Sequence, residues 1–420
     1  MRPFATLLIR NAEQVVTARC GSKPEYAWRA VETLRGAVIA CGGDRILAVG
    51  PQEEVAARVE LTARTVVIDA VGCTVTPGLV DSHAHPVFAG SRLDEFEARL
   101  RGSSYEEIAR KGGGILSTVR AVRQASEEEL LRLALRRLDA FLKAGTTTLE
   151  AKSGYGLSLE HEVRLLRVLA KLRELHPIDI VPTFLGAHAL PEEYSGRREA
   201  YVDAIVAEML PAVAEEGLAE FCDVFCDEGF FTPLEAERIL ASASEHGLKA
   251  KIHAEQLSRS GGSRVAAKVG AVSADHLDHC TVEDLELLAS ARVVPVDLPG
   301  ATFFLNKSRF APARKMIELG MPLAVATDFN PGSSPIFFLP FAGSLACLKQ
   351  GLSPAEAMAA ITVGGAWALG RQGELGTLEE GKTADIVVWP TPDYRELFYY
   401  LGSLRPRWVI KKGRVVHQEE

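Results

Sequence analysis

Residues 73–85 read CTVTPGLVDSHAH, a run of Val, Thr and Leu that ends in two histidines. A near-continuous apolar segment of this length, closed by polar residues, is what a parallel strand buried on both faces looks like. Seven further segments share the texture: GTTTLEAKSGYG (145–156), DIVPTFLGAH (179–188), EFCDVFCDE (220–228), LKAKIHAE (248–255), AVSADHLDH (271–279), ARVVPVDLPG (291–300) and PLAVATDFNPG (322–332). The stretches between them are amphipathic and have readable ends. Thr232, Pro233 and Glu235 predict an N-cap, a first helical position and a capping box, with Gly247 as the stop. Ser353, Pro354 and Glu356 repeat the device. Eight strands alternating with helices predict an α/β fold, a (β/α)8 TIM-like barrel over residues 73–365, with its chemistry at the C-terminal strand ends.

Outside that region the pattern is short and β-like. LLIRNAEQVVT (7–17), AVIACGGDRILAVG (37–50) and RTVVIDA (64–70) are separated by turn residues and read as a small antiparallel sheet. ADIVVWP (384–390) and RWVIKKGRVVHQ (407–418) repeat the texture. The two chain ends, 1–72 and 366–420, are therefore expected to pair into one small β-sandwich.

The composition, 47% hydrophobic and 24% charged, is that of a folded globular chain. A net charge of −8, spread without basic blocks, argues against nucleic acid as a partner and leaves a small molecule as the expected one. The apolar stretch from Phe4 is cut by Arg10, and the run from Ile336 to Leu348 is broken by Pro340, well short of the roughly 20 residues of a membrane span. No leader, anchor or membrane association is expected. Cysteines at 20, 41, 73, 222, 226, 280 and 347 are scattered and odd in number, which favours a reducing compartment, the cytoplasm by default.

Five of the ten histidines fall at predicted strand ends: His83 and His85 after the first, His188 after the third, His253 after the fifth and His276 after the sixth. Lys152 and Tyr155 follow the second strand and Asp328 the eighth. Within extended backbone, positions i and i+2 face the same side, so His83 and His85 can reach one ion. With His253 and Asp328 they supply three nitrogens and one carboxylate oxygen, a donor set suited to Zn2+ or to iron, with a position left for water. Polar residues lining a barrel rim account for each residue singly, but not for their shared location.

This pattern of His-x-His, His, His and Asp around a barrel flanked by a β-sandwich resembles the amidohydrolase superfamily. More narrowly, DSHAHPVFAGSR (81–92), AKSGYGL (151–157), TFLGAHALP (183–191), HAEQ (253–256), SADHLDH (273–279) and TDFNPGSSP (327–335) resemble the imidazolonepropionase family. The resemblance spans nearly the whole chain. It implies hydrolytic opening of 4-imidazolone-5-propanoate to N-formimidoyl-L-glutamate in histidine breakdown, with one divalent metal, Zn2+ or Fe2+/Fe3+. The implied metal ligands are His83, His85, His253 and Asp328. The implied substrate contacts are Arg92, Tyr155, His188, Gln256, Asn330, Gly332 and Ser333.

The chemistry suggests roles within that set. A bound divalent ion would supply hydroxide near neutral pH, Asp328 is the natural proton acceptor, and His276 can orient the water or polarise the carbonyl. A propionate arm needs a cation, which Arg92 offers, and Tyr155 sits in a Gly154/Gly156 loop able to approach a ligand closely. Superfamily members with two metals place a bridging lysine on the fourth strand; FCDVFCDE has none, so a single ion is expected. Lys152 is expected to balance negative groups of the rim. Cys222 and Cys226 read as small core residues before they read as a redox pair. Gly112 to Gly114 signal a mobile loop without a phosphate site. Some relatives carry glutamate three residues after the fifth-strand histidine, where this chain has Gln256, which cannot take a proton. Strand alternation would put Glu255 beside His253, leaving it open as a base. A homodimer is the expected assembly. The competing readings are another amidohydrolase, such as a purine or pyrimidine deaminase, and a non-enzymatic barrel scaffold.

Overall fold

A computed structural model describes residues 2–18, 30–103, 107 and 112–419, so Cys20 lies outside the described residues. Eight parallel strands run in chain order around a barrel: Leu79–Asp81, Thr146–Lys152, Asp179–Ala187, Phe221–Cys226, Lys249–Ala254, Ser273–His276, Val294–Asp297 and Ala324–Val325. The eight apolar segments of the sequence each carry one of these strands. Seven neighbouring pairs share ladders, and the ring is completed past the first and eighth strands. There Ala84 bridges Phe329, His85 N donates to Phe329 O at 2.8 Å, and Asp328 N donates to His83 O at 3.0 Å.

The helices form for the reasons their ends announce. The helix Glu127–Lys143 starts where the Ser126 hydroxyl accepts from the Glu129 amide, and it buries Leu130, Ala134, Leu138 and Phe141 at spacings of three and four. Each fully buried Leu or Phe of that stripe is worth about 1.5–3 kcal/mol. The helix Pro233–Glu245 carries the capping box of Thr232 and Glu235, and Gly247 follows it at a φ of 79°. The Ser353–Glu356 box opens the helix Pro354–Ala359 in the same way. Gly114 precedes the helix Ile115–Gln124, and its amide donates to Glu95 Oε1 at 2.9 Å.

Two expectations need correction. The run 73–85 is two strands, not one: Thr74–Pro77 belongs to a different sheet, and the barrel strand starts after Gly78. A Cβ at Gly78 would meet Thr147 Oγ1 at 2.1 Å, so only glycine lets the chain cross there. Nor is the N-terminal region one antiparallel sheet. Leu7–Arg10 lies in a four-stranded sheet beside Val66–Asp69, in parallel, while Gln14–Thr17 lies in a six-stranded sheet beside Thr74–Pro77, also in parallel. The six-stranded sheet joins both chain ends, with Ile386–Trp389 pairing Thr74–Pro77. Leu7, Ile9, Ile39 and Ile46 pack against Val75, Ile386, Val388 and Ile410 in one buried cluster.

Among the described residues no helix is long and apolar enough to cross a membrane. The six described cysteines are free; Cys222 and Cys226 are buried in the fourth strand, and burial pushes the Cys226 thiol up to about 12, as expected of core residues.

Candidate metal centre

The barrel seam brings the first and eighth strand ends together. His83 Nε2 lies 3.5 Å and His85 Nε2 3.7 Å from the same Asp328 oxygen. His253 presents its ring 4.5 Å from that of His83, edge on, and His276 lies 5.3 Å beyond His253. The candidate ligand atoms of His83, His85 and Asp328 all lie within 4.8 Å of one another, as do those of His83, His253 and His276. His83 is common to both groups. Asp328 and His276 have φ of 51° and 77°, the left-handed region, which turns their side chains inward at a cost of about 1–3 kcal/mol each.

The electrostatics suit a cation. Burial holds the His83 and His85 imidazoles well below their usual range, helped at His83 by the Lys152 charge and at His85 by the His188 ring. Burial, with the neighbouring His253, does the same to His276. These rings are neutral at pH 7, each with a lone pair to offer. Burial pushes the Asp328 carboxyl up to about 7. His83 Nε2 and His276 Nδ1 are buried without a hydrogen-bond partner, and a buried polar atom in that state calls for one. Neutral imidazoles, one carboxylate and orphaned nitrogens fit a divalent ion such as zinc or iron.

Under this cluster lies a layer of charge the strand-end reasoning did not reach. Lys152 is not at the rim but wholly inside the barrel, with Nζ 2.8 Å from Glu150 Oε1 and 2.7 Å from Asp223 Oδ2. It does balance negative groups, as expected, but interior ones. Lys251 Nζ reaches Glu150 Oε2 at 2.6 Å and Ser82 O at 3.1 Å. Asp275 Oδ2 lies 2.6 Å from His83 Nδ1. The available signal was charge inside apolar runs, Glu150 and Lys152 two apart in GTTTLEAK and Asp223 in FCDVFC.

Above the cluster opens a cavity of about 860 Å3, lined by Arg92, Tyr155, His188, Gln256, Asn330, Gly332 and Ser333 together with His85, His253, His276 and Asp328. Arg92 is not a solvated surface residue: its side chain is 9% exposed, and Nε and Nη2 lie 2.8 and 2.6 Å from Glu95 Oε2. Tyr155 is buried in a loop fixed by the Glu162 carboxylate, which accepts from the Gly156 amide at 2.7 Å and the Leu157 amide at 2.9 Å. His188 Nδ1 donates to Gly154 O at 2.9 Å, and its ring stacks on His85 at 5.3 Å. Asn330 builds its own turn: Oδ1 accepts from the Gly332 and Ser333 amides at 2.8 Å, and Nδ2 donates to Asp328 O and Ser333 Oγ.

Glu255 does not stand beside His253. A φ of 51° breaks the strand alternation there, and the carboxylate turns away to accept from the Gly261 and Ser263 amides, each at 3.0 Å. Its place at the cavity goes to Gln256, on a loop held by Asp227, which accepts from the Leu257 and Ser258 amides. Arg99 and Lys307 also line the cavity and were missed. Arg99 lies seven residues after Arg92, two helical turns along the same face, a spacing the sequence displays.

The chain matches the Amidohydrolase family over residues 74–416. It is 48% identical to the imidazolonepropionase of Symbiobacterium thermophilum over 420 residues, covering 100% of this chain and 99% of the relative. It is 48% identical to that of Geobacillus kaustophilus over 421 residues, covering 99% and 98%. In fold it is similar to a zinc-bound adenosine deaminase from Xanthomonas campestris, with TM-score 0.73, 19% identity and 99% and 93% of the two chains covered. A 5-methylcytosine deaminase from Klebsiella pneumoniae superposes with TM-score 0.74 at 16% identity, covering 98% of each chain. With sequence likeness running end to end, the chain belongs to the amidohydrolase family and, within it, to the imidazolonepropionase family.

Proposed function

We propose that this chain opens the ring of 4-imidazolone-5-propanoate by hydrolysis, giving N-formimidoyl-L-glutamate in histidine degradation. The observation that carries this reading is one cavity holding both a cluster of neutral imidazoles with a carboxylate and, beside it, the guanidinium of Arg92. We assign His83, His85, His253 and Asp328 as ligands of a single divalent ion, Zn2+ or Fe2+/Fe3+. When bound, such an ion lowers the pKa of water from 15.7 to about 7 and so supplies hydroxide at neutral pH.

The protein's own groups do the rest. Asp328 takes the proton of the attacking water, whose oxygen bonds to the cyclic amide carbon. It returns that proton to the ring nitrogen as the carbon–nitrogen bond breaks. His276 faces the carbonyl oxygen and stabilises the charge that develops on it. Arg92 holds the propionate, and Tyr155, His188, Gln256 and the turn of Asn330, Gly332 and Ser333 wall the ring. A glutamine at 256 serves as a hydrogen-bonding wall, which leaves proton transfer with Asp328 and His276.

We keep the expected division, a catalytic barrel over 73–365 beside a unit of 1–72 and 366–420, with its first boundary moved to Gly78, since Thr74–Pro77 lies in the six-stranded sheet of the chain ends. We read the assembly as a cytoplasmic homodimer. The deaminase reading would use the same cluster of histidines and Asp328, on a fold that the chain shares with deaminases, but gives the Arg92 cation no carboxylate to hold. Product analysis separates the two: formimidoylglutamate without ammonia supports ring opening, and ammonia released from an aminopurine or aminopyrimidine supports deamination.

A further inference from the structure

Behind the histidines lies a fully buried charge network with no direct part in the reaction. Lys152 Nζ is 2.7 Å from Asp223 Oδ2, 2.8 Å from Glu150 Oε1 and 3.6 Å from Asp275 Oδ2. The two aspartates also reach the metal cluster. Asp275 Oδ2 is hydrogen-bonded to His83 Nδ1 at 2.6 Å, whereas Asp223 Oδ2 comes within 3.0 Å of His253 Nδ1 without the alignment of a hydrogen bond. Neither carboxylate is free to rotate, because Asp275 Oδ1 accepts from the Ser273 hydroxyl at 2.6 Å and Asp223 Oδ1 from the His253 amide at 3.1 Å.

Replacing a buried ion cluster by apolar side chains of similar volume is often neutral or stabilising, so packing alone does not account for this one. At His83 the carboxylate bonded to Nδ1 keeps the proton on that nitrogen and leaves the lone pair on Nε2, which also makes the ring a stronger donor; at His253 the Asp223 carboxylate acts by its charge beside the ring and by accepting from the His253 amide. At His83 the consequence is visible: Nε2 has no hydrogen-bond partner and points toward Asp328, 3.5 Å away. Resting on the metal reading above, we infer that Asp275 and Asp223 are positioning residues that aim His83 and His253 at the ion, with Lys152 as the shared cation that locks both to one geometry.

The test loads metal-free protein with Co2+ and reads its visible absorption band and its dissociation constant by chelator competition, without any substrate. Asp275→Asn and Asp223→Asn are each expected to weaken Co2+ binding about 10- to 100-fold and to shift the band, in protein whose circular dichroism is unchanged. Ser273→Ala leaves every charge in place and frees only one Asp275 oxygen. It is the variant that keeps the test available if the aspartate changes do not fold, and it is expected to shift the band in the same direction with a smaller loss of affinity. Lys152→Met should weaken binding through both arms, so that adding Asp275→Asn to it costs less than adding it to wild type. A purely structural network lowers the melting temperature and leaves band and affinity alone; that result in folded variants overturns the inference. Wild-type protein that takes up no Co2+ defeats the metal reading itself, and the positioning role with it.

Discussion

The main-chain amide of Asp328 donates to the carbonyl oxygen of His83 at 3.0 Å, so the hydrogen bond that helps to close the barrel also sets the two candidate ligands side by side. The Asp328 carboxylate then reaches back to His83 and His85 at 3.5 and 3.7 Å. Closing the barrel at this seam therefore brings these two candidate ligands together.

Metal uptake should depend on pH through the Asp328 proton. In the metal-free protein burial raises the Asp328 carboxyl to about 7, while the His83, His85 and His276 rings are held neutral. Only the ionised carboxylate is a ligand, so below pH 7 its proton must leave, and affinity should fall by at least about tenfold per pH unit from this group. Chelator competition between pH 5.5 and 8 reads the slope. A fall of several decades per unit would mean that the histidines are charged in that range.

Asp328→Asn keeps the shape and removes both the base and a charged ligand. We expect kcat to fall by at least about 10²- to 10⁴-fold, the usual worth of a placed acid or base. Steady-state kinetics with metal analysis checks this. Substantial turnover at normal metal content would move the proton transfer to His276, since Glu255 is committed to the Gly261 and Ser263 amides.

Arg92→Met removes the cation assigned to the propionate. Because Glu95 already lies 2.6 Å from that guanidinium, part of the charge is neutralised before substrate arrives. A charged hydrogen bond worth about 1.5–3 kcal/mol corresponds to a loss of roughly 10- to 160-fold in kcat/KM. Metal content should not change. Wild type should discriminate against an analogue lacking the carboxylate, and the variant should discriminate much less. Equal handling of acid and analogue by wild type would remove the propionate from the reading.

Gly332→Ala probes the same contact from the opposite wall. A Cβ there would meet Arg92 Nη1 at 1.9 Å, and the flexible guanidinium end is what must move. KM should rise several-fold, with melting temperature and metal content near wild type. An unchanged KM would show that Arg92 does not hold the substrate from its present position.

The strand-end histidines and Asp328 could be read from the sequence because a barrel gathers its strand ends in one place, whatever their separation along the chain. Gly78 was not readable as a break, since its reason lies in Thr147, 69 residues away. Glu255 was placed wrongly because alternation presumes extended backbone, and its φ of 51° is not extended. The interior network announced itself only as charge within apolar runs. Its pairings, Lys152 with Asp223 and Lys251 with Glu150, link different strands and appear only in three dimensions.

The most direct test of the proposed ring opening is incubation of metal-analysed protein with freshly generated 4-imidazolone-5-propanoate, following loss of the ring absorbance and formation of N-formimidoyl-L-glutamate. Equimolar conversion without ammonia release is expected, by protein that holds one divalent ion per chain and loses activity when the ion is removed. No conversion by fully loaded protein, or full activity without metal, would contradict it.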